Sequence, residues 1–211
     1  RWTVIKSGID HILEPETELS VLHKFGLVPE EYVLTVGALS EHKNLAALKL
    51  LAHGLGVQGH ELVAVGDAAP AVYAGADLWE GLKHIGQVSD GALRALMENA
   101  RCFVFPSRYE GFGLPPLEAM ALGCPVATSD IAPLREACGE ASIFFNPDDP
   151  EDIAERVLAL SNDEAQRVHL GNAGQEVTRH LTWDRSAQKW LDFLSVASKS
   201  LRVLSSDSHN T

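Results

Sequence analysis

The segment Pro106-Ser107-Arg108-Tyr109-Glu110-Gly111-Phe112-Gly113-Leu114-Pro115-Pro116-Leu117-Glu118 holds two carboxylates, two glycines and two adjacent prolines. It follows the apolar run Cys102–Phe105 and leads into a helical pattern, which is the order an anion site requires. Free backbone N–H groups at a helix start bind phosphate through hydrogen bonds and through the macrodipole. Pro115 and Pro116 carry no N–H, so the donors on offer are Phe112, Gly113 and Leu114, and the glycines let a ligand come close. Glu118 falls in the first turn, where a carboxylate competes with phosphate for the same positive end. Accepting hydrogen bonds from hydroxyls beside the phosphates, such as a ribose diol, suits it better. On spacing alone a bland reading stands equally: Glu118 complements the helix dipole and Glu110 is solvated.

A second loop, Gly37-Ala38-Leu39-Ser40-Glu41-His42-Lys43-Asn44, also runs from an apolar run into a helical pattern. Lys43 would place a cation at the mouth of a sheet in a chain short of cations, although a lone Lys is more often simply solvated. His42 is a weaker candidate. Gly54-Leu55-Gly56-Val57-Gln58-Gly59 spells G-x-G-x-x-G but follows a helix and precedes a strand, the reverse of the dinucleotide-binding context. It reads as a glycine-rich helix end. H-E-x-x-H, G-x-S-x-G and Walker patterns are missing. The histidines make no i, i+4 pair that would mark a metal face, so His11 and most others read as solubility or packing residues. Trp79, Trp183 and Trp190 fit helix faces with a core role.

The elements that must carry these loops alternate. Strand candidates are Trp2–Lys6, Tyr32–Gly37, Glu61–Val65, Leu82–Ile85, Cys102–Phe105, Pro125–Thr128 and Ser142–Phe145, mostly apolar throughout, as strands buried on both faces should be. Helix candidates are Thr17–Phe25, Asn44–Leu55, Ala69–Glu80, Asp90–Asn99, Pro115–Leu122, Ala132–Cys138, Pro150–Ser161, Asp163–His180 and Asp184–Leu201. Ser40, Ser89 and Asp149 sit just ahead of helices, and Pro115 and Pro150 suit a first turn. The pattern predicts one doubly wound α/β domain, a Rossmann-like parallel sheet over residues 1–200, followed by a polar, frayed tail at 201–211.

The 211 residues are 45% hydrophobic and 22% charged, with a net charge of -12. A chain of this length buries roughly 70% of its unfolded surface and needs no staples. The negative balance, without a Lys/Arg block, argues against nucleic acid or another polyanion as partner, while a small anion held by one or two local cations remains allowed. Cys102, Cys124 and Cys138 are odd in number and never spaced C-x-x-C, so buried thiols in a reducing, cytoplasmic compartment are expected. No apolar run reaches the roughly 18 residues of a membrane span. The abrupt start in strand-like sequence, without an initiator Met, reads as a piece of something longer.

Val36-Gly37 through Lys43-Asn44, Val65-Gly66-Asp67, Gly86-Gln87-Val88-Ser89, Phe105-Pro106-Ser107 through Glu118-Ala119-Met120-Ala121, and Gly123-Cys124-Pro125-Val126 together resemble the C-terminal half of GT-B glycosyltransferases. The branch is the large retaining family that includes mannosyl-, rhamnosyl- and glucosyltransferases of polysaccharide and lipopolysaccharide assembly. The resemblance runs from about Val4 to Leu194, and Glu-x7-Glu, Glu110 to Glu118, is its most specific element. It implies an enzyme that needs neither metal nor other cofactor and moves a sugar from a nucleotide-diphosphate donor with retention.

The implied donor-binding set is Gly37, Ala38, His42, Lys43, Val88, Ser107, Glu110, Gly111, Phe112, Gly113, Leu114 and Glu118, with Glu110 and Lys43 taking part in catalysis. Glu110 would lie beside the donor sugar, Glu118 on the ribose hydroxyls, the Gly111–Leu114 backbone on sugar or phosphate, Lys43 on the diphosphate, and the Val88 loop beside the base. Ala38 and His42 stand where many relatives carry Arg, and Lys6-Ser7 where relatives have Pro-Asn. The resemblance leaves a glycan or lipid-linked acceptor to an N-terminal domain outside this chain, so the chain alone is expected to be inactive. It also leaves peripheral membrane association open to the full-length protein. The Ser-Glu-His-Lys-Asn loop leans towards GDP-mannose. The alternatives are a GT-B epimerase or phosphorylase, and a binding module that keeps the fold without activity.

Overall fold

Parallel strands buried on both faces must send alternate side chains into two cores. Six runs do so: β1 (Tyr32–Val36), β2 (Glu61–Val65), β3 (Leu82–Gly86), β4 (Cys102–Phe105), β5 (Val126–Ser129) and β6 (Ser142–Phe145). The computed structural model describes residues 3–38, 40–67 and 81–207, with side chains in the last helix as far as Val196. The strands form one sheet in the order β3-β2-β1-β4-β5-β6, with every pairing parallel. This is the doubly wound, Rossmann-like order expected from the alternating pattern.

Leu34, Val63, Phe103, Phe105 and Val126 enter one core, against α1 (Ser20–Phe25), α3 (Asp90–Glu98), α4 (Leu114–Ala121) and α5 (Ala132–Cys138). Val33, Leu62, Ala64, Val104 and Ala127 enter the other, against α2 (Lys49–Val57) and α6 (Pro150–Asn162). Each fully buried Leu, Val or Phe contributes about 1.5–3 kcal/mol relative to exposure, which pins the register of every strand. The phenol of Tyr32 donates to the Leu96 carbonyl at 2.7 Å, fixing α3 to β1, and burial pushes its pKa well up. α7 (Glu164–Thr178) packs on α4, and α8 (Trp183–Asp207) closes the described chain.

Several sequence expectations change. Thr3–Lys6 form no strand; Lys6 instead lends its carbonyl to the Ser186 hydroxyl on α8, and the sheet edge remains β6. Ser89 and Asp149 cap α3 and α6 with their side chains, but Ser40 precedes only a 3₁₀ turn, Glu41–Lys43, and its buried hydroxyl caps nothing. α8 runs past the expected end at Leu201, because no Gly or Pro interrupts it before Asp207. Trp183 and Trp190 are half-exposed rather than core residues. The expected helix Ala69–Glu80, with Trp79, lies outside the described residues. No described helix is long and apolar enough to cross a membrane.

At the ends of β1 and β2 the backbones nearly touch. Gly66 has φ +145, and a Cβ there would run into the Gly37 carbonyl. Gly56, inside α2, has open space around it. Gly66→Ala is therefore expected to lower unfolding free energy by about 2 kcal/mol or more. Gly56→Ala should raise it by about 0.5 kcal/mol. Urea denaturation midpoints of the two variants check the opposite signs.

Candidate functional site

The winding of the sheet reverses between β1 and β4, and such a reversal opens a crevice beyond the carboxyl ends of the strands. The loops that leave those two strands are the ones singled out by their residues. Lys43 ends the 3₁₀ turn after β1, and Glu110 lies in the loop after β4. Their side chains meet, Lys43 Nζ to Glu110 Oε1, at 2.6 Å. The pair is largely shielded, at 20% and 12% exposure, and Nζ also stands 5.0 Å from the centroid of the Phe105 ring. Partial desolvation strengthens this attraction beyond that of an open surface pair.

What aims Lys43 is Asn44, to which the sequence assigned no role. Asn44 adopts φ 57, is 3% exposed, and its amide donates to the carbonyls of Pro106 (3.1 Å) and Pro147 (2.7 Å). A left-handed residue other than glycine is held there only when its surroundings over-determine it. One side chain thus stitches the β1, β4 and β6 loops together. Ser107, expected to face a donor, is fully buried and turns its hydroxyl to the carbonyls of His42 and Tyr109. It joins the two loops from beneath. The stem of Lys43 lies along Gly37, where a Cβ would sit 3.5 Å from it.

Gly113 is the N-cap of α4 with φ 85, and a side chain there would strike Leu134. Among the described residues, the N–H groups of Phe112, Gly113 and Leu114 donate to no protein acceptor. Gly111 and Phe112 border a cavity of about 420 Å³ that also reaches Lys6 and Pro133. Ala38 and His42 are exposed, and the His42 carbonyl accepts from Arg108 N at 2.8 Å. Val88 borders a separate cavity of about 390 Å³ with Glu18, Lys24 and Ser89. It does not join the Lys43–Glu110 cluster directly.

Glu118 is buried on α4, and its carboxylate meets His11 Nε2 at 3.0 Å. Burial raises the Glu118 pKa; the charge and hydrogen bond of His11 pull it back, and Asp90 adds a smaller upward push. The sequence dismissed His11 as a packing or solubility residue. Nothing local could reveal this contact, because 107 positions separate the partners. Groups of three or more His, Cys, Asp or Glu placed to hold a metal do not occur among the described residues.

The family model described as "Glycosyl transferases group 1" matches residues 23–177. "O-antigen chain mannosyltransferase B" of Escherichia coli is 30% identical over 200 residues, covering 86% of this chain and 50% of that protein. "Serotype-specific mannosyltransferase WbdA" of Escherichia coli is 31% identical over 208 residues, covering 90% of this chain and 24% of that protein. The chain thus spans half or less of these relatives. Among solved structures, sucrose-phosphate synthase from Thermosynechococcus elongatus superposes with a TM-score of 0.76 at 21% identity, over 93% of this chain and 53% of its own. Anabaena Alr3699/HepE, solved with UDP and glucose, gives 0.73 at 19% identity, over 88% and 55%. At such identities the likeness is one of fold.

Asn44→Ala removes both loop-bridging hydrogen bonds and leaves two carbonyls without their donor. It is expected to cost about 2–3 kcal/mol of stability. The same change should broaden the Lys43 side-chain resonances, as the ammonium loses its fixed position. Thermal denaturation and NMR of the Lys43 Nζ group check this, and an unaltered Lys43 signal would contradict the positioning by Asn44.

Proposed function

Because the chain belongs to the group 1 glycosyl transferases, we propose that it is the nucleotide-sugar-binding half of a retaining glycosyltransferase. Its donor is a nucleoside-diphosphate sugar, GDP-mannose by preference, and the mannosyltransferases among its relatives support that choice. The observation that carries the reading is the shielded Lys43–Glu110 pair, set at the sheet's switch point on the loop whose Phe112–Leu114 N–H groups donate to no acceptor among the described residues. A cation and amides held rigid before the ligand arrives stabilise charge as it develops, which is what cleavage of a sugar–diphosphate bond demands.

In this reading the diphosphate lies against the N–H groups of Gly111–Leu114 and draws Lys43 away from Glu110. Lys43 then neutralises the charge that builds on the phosphate as the bond to the sugar breaks. Glu110, released from the ammonium, accepts hydrogen bonds from the donor sugar and orients it. Glu118 accepts from the ribose hydroxyls, and Val88 borders the base. We assign the neutralisation to these groups rather than to a bound metal. The acceptor, a glycan or a lipid-linked sugar, is left to a further domain, and the chain alone is inactive. We place the protein in the cytoplasm, in keeping with three free and buried thiols, of which Cys102 is pushed up to about 12 by burial. The Glu-x7-Glu loop and the mannosyltransferases among the relatives speak for transfer over the epimerase and phosphorylase alternatives.

GDP, UDP or ADP at millimolar concentration is expected to raise the melting temperature, since saturation at 100 times Kd adds about 2.7 kcal/mol. A panel that shifts nothing sinks the reading. Lys43→Ala should weaken diphosphates about tenfold while sparing nucleosides. Glu110→Gln should tighten free GDP by roughly three- to tenfold, because the carboxylate no longer competes for Lys43, yet lower turnover in the full-length enzyme. Calorimetry decides, and weaker GDP binding by Glu110→Gln would remove the competition from the mechanism.

A further inference from the structure

Two chain segments far apart in sequence converge over the Glu118 carboxylate. The 3₁₀ turn Asp10–Leu13 rests on α3 and α4, and the start of α8 rests on that turn. Ile9 N donates to the Leu181 carbonyl at 2.9 Å, and Asp10 Oδ1 accepts from Trp183 N at 2.8 Å. Gly8 passes so close to Trp183 that a Cβ would strike its backbone nitrogen. At the centre stands His11, with Nε2 on Glu118 Oε1 at 3.0 Å and Nδ1 facing the Trp183 indole N–H at 3.3 Å.

This arrangement fixes a tautomer. An indole nitrogen only donates, so Nδ1 accepts; in the neutral imidazole the single proton then sits on Nε2, and Nε2–H donates to the carboxylate. Among the described residues no other side chain is hydrogen-bonded to the Glu118 carboxylate, which burial drives towards its neutral form. One carboxylate oxygen is occupied by His11, and the other keeps its lone pairs for a ligand.

We propose that His11 is a positioning residue for Glu118: it holds the carboxylate ionised and aimed at the ribose diol of a nucleoside diphosphate, and ties its occupancy to the Gly8–Leu13 and Leu181–Trp183 junction. The proposal rests on the reading of Glu118 as the ribose acceptor. Protonating His11 puts a second proton on Nδ1, opposite the indole N–H. Two donors then oppose each other, and the junction loosens while the bond to Glu118 tightens. The other charged groups around this contact are accounted for. Asp90 on α3 acts on Glu118, Arg94 on α3 pairs with Glu98 and donates to the carbonyls of Leu13 and Pro15, and Asp10 is taken by Trp183 N. On α8 the contact is the neutral Trp183 ring.

The test compares GDP with 2′-deoxy-GDP by calorimetry across about pH 5 to 8 for the wild-type chain, His11→Ala, His11→Gln and Glu118→Ala. Wild type should prefer the ribonucleotide. In His11→Ala that preference should fall threefold or more, about 0.7 kcal/mol or more. Its loss of affinity in acid should also begin at higher pH, because Glu118 without its donor holds a proton more tightly. His11→Gln keeps an N–H donor and should restore most of the preference at neutral pH. A role in packing alone would lower the melting temperature and leave both the preference and the acid limb unmoved. That result, or tighter GDP binding by His11→Ala, overturns the proposal while the donor-site reading stands. If wild type binds neither nucleotide, the donor-site reading itself fails and the proposal with it; if Glu118→Ala keeps the full ribose preference, Glu118 is not the ribose acceptor and the proposal fails while the diphosphate site at Lys43 stands.

Discussion

Between β1 and β4 the chain stops winding in one direction across the sheet and starts winding in the other. Helices that follow β1 and β4 lie on opposite faces, so their connecting loops part and leave a crevice above two neighbouring strand ends. Everything else about the site depends on that divergence. It lets Lys43 and Glu110, 67 positions apart, meet at 2.6 Å without either loop crossing the other. The divergence holds because alternate residues of each strand are locked into two separate cores, so a strand that slipped by a residue would send each side chain into the core packed for its neighbours.

A net charge of -12 is compatible with the proposed anion site because charge acts locally at these distances. The site needs one cation in a shielded place, and the fold supplies it by three different means. Phe105 gives Lys43 an aromatic face, Glu110 gives it a counter-charge, and Asn44 fixes the backbone from which it projects. The counter-charge also sets a reserve. A shielded ammonium without a partner is costly, so Glu110 stabilises Lys43 where it stands, and in the proposed donor site an anion would compete with that carboxylate. Glu118 poses the same problem with the sign reversed. A buried carboxylate tends to neutralise itself, and an imidazole from the far end of the chain opposes that tendency.

Much of this was legible in the residues. The alternation of apolar runs with helical periods gave six strands and most helices within a residue or two of their observed limits, because burial on both faces leaves a continuous apolar signature. Glu110 and Glu118 were candidates for standing in a glycine- and proline-rich strand-to-helix loop, but spacing alone left a solvated reading open, and the roles of both and of Lys43 came from the family resemblance of the two loops. The failures share a cause. Trp2–Lys6 had the composition of a strand, but its described part, Thr3–Lys6, pairs with no sheet edge, and the Lys6 carbonyl is taken by the Ser186 hydroxyl on α8. Trp183 looked like a core residue because a helix face says nothing about whether another element covers it.

The sequence by itself determined the place of the six sheet strands, the two loops that carry charge and the exclusion of the reversed glycine motif in α2, since all of these are local patterns of burial and backbone freedom; the seventh strand it offered, at Trp2–Lys6, is absent from the described sheet. Only the tertiary structure decided that Ser107 faces inward, that Asn44 bridges the loops after β4 and β6 and that His11 meets Glu118. Those facts rest on hydrogen bonds between residues tens to more than a hundred positions apart. A hydrogen bond is specified by where two backbones end up, and residue type alone records only that a donor or an acceptor is on offer.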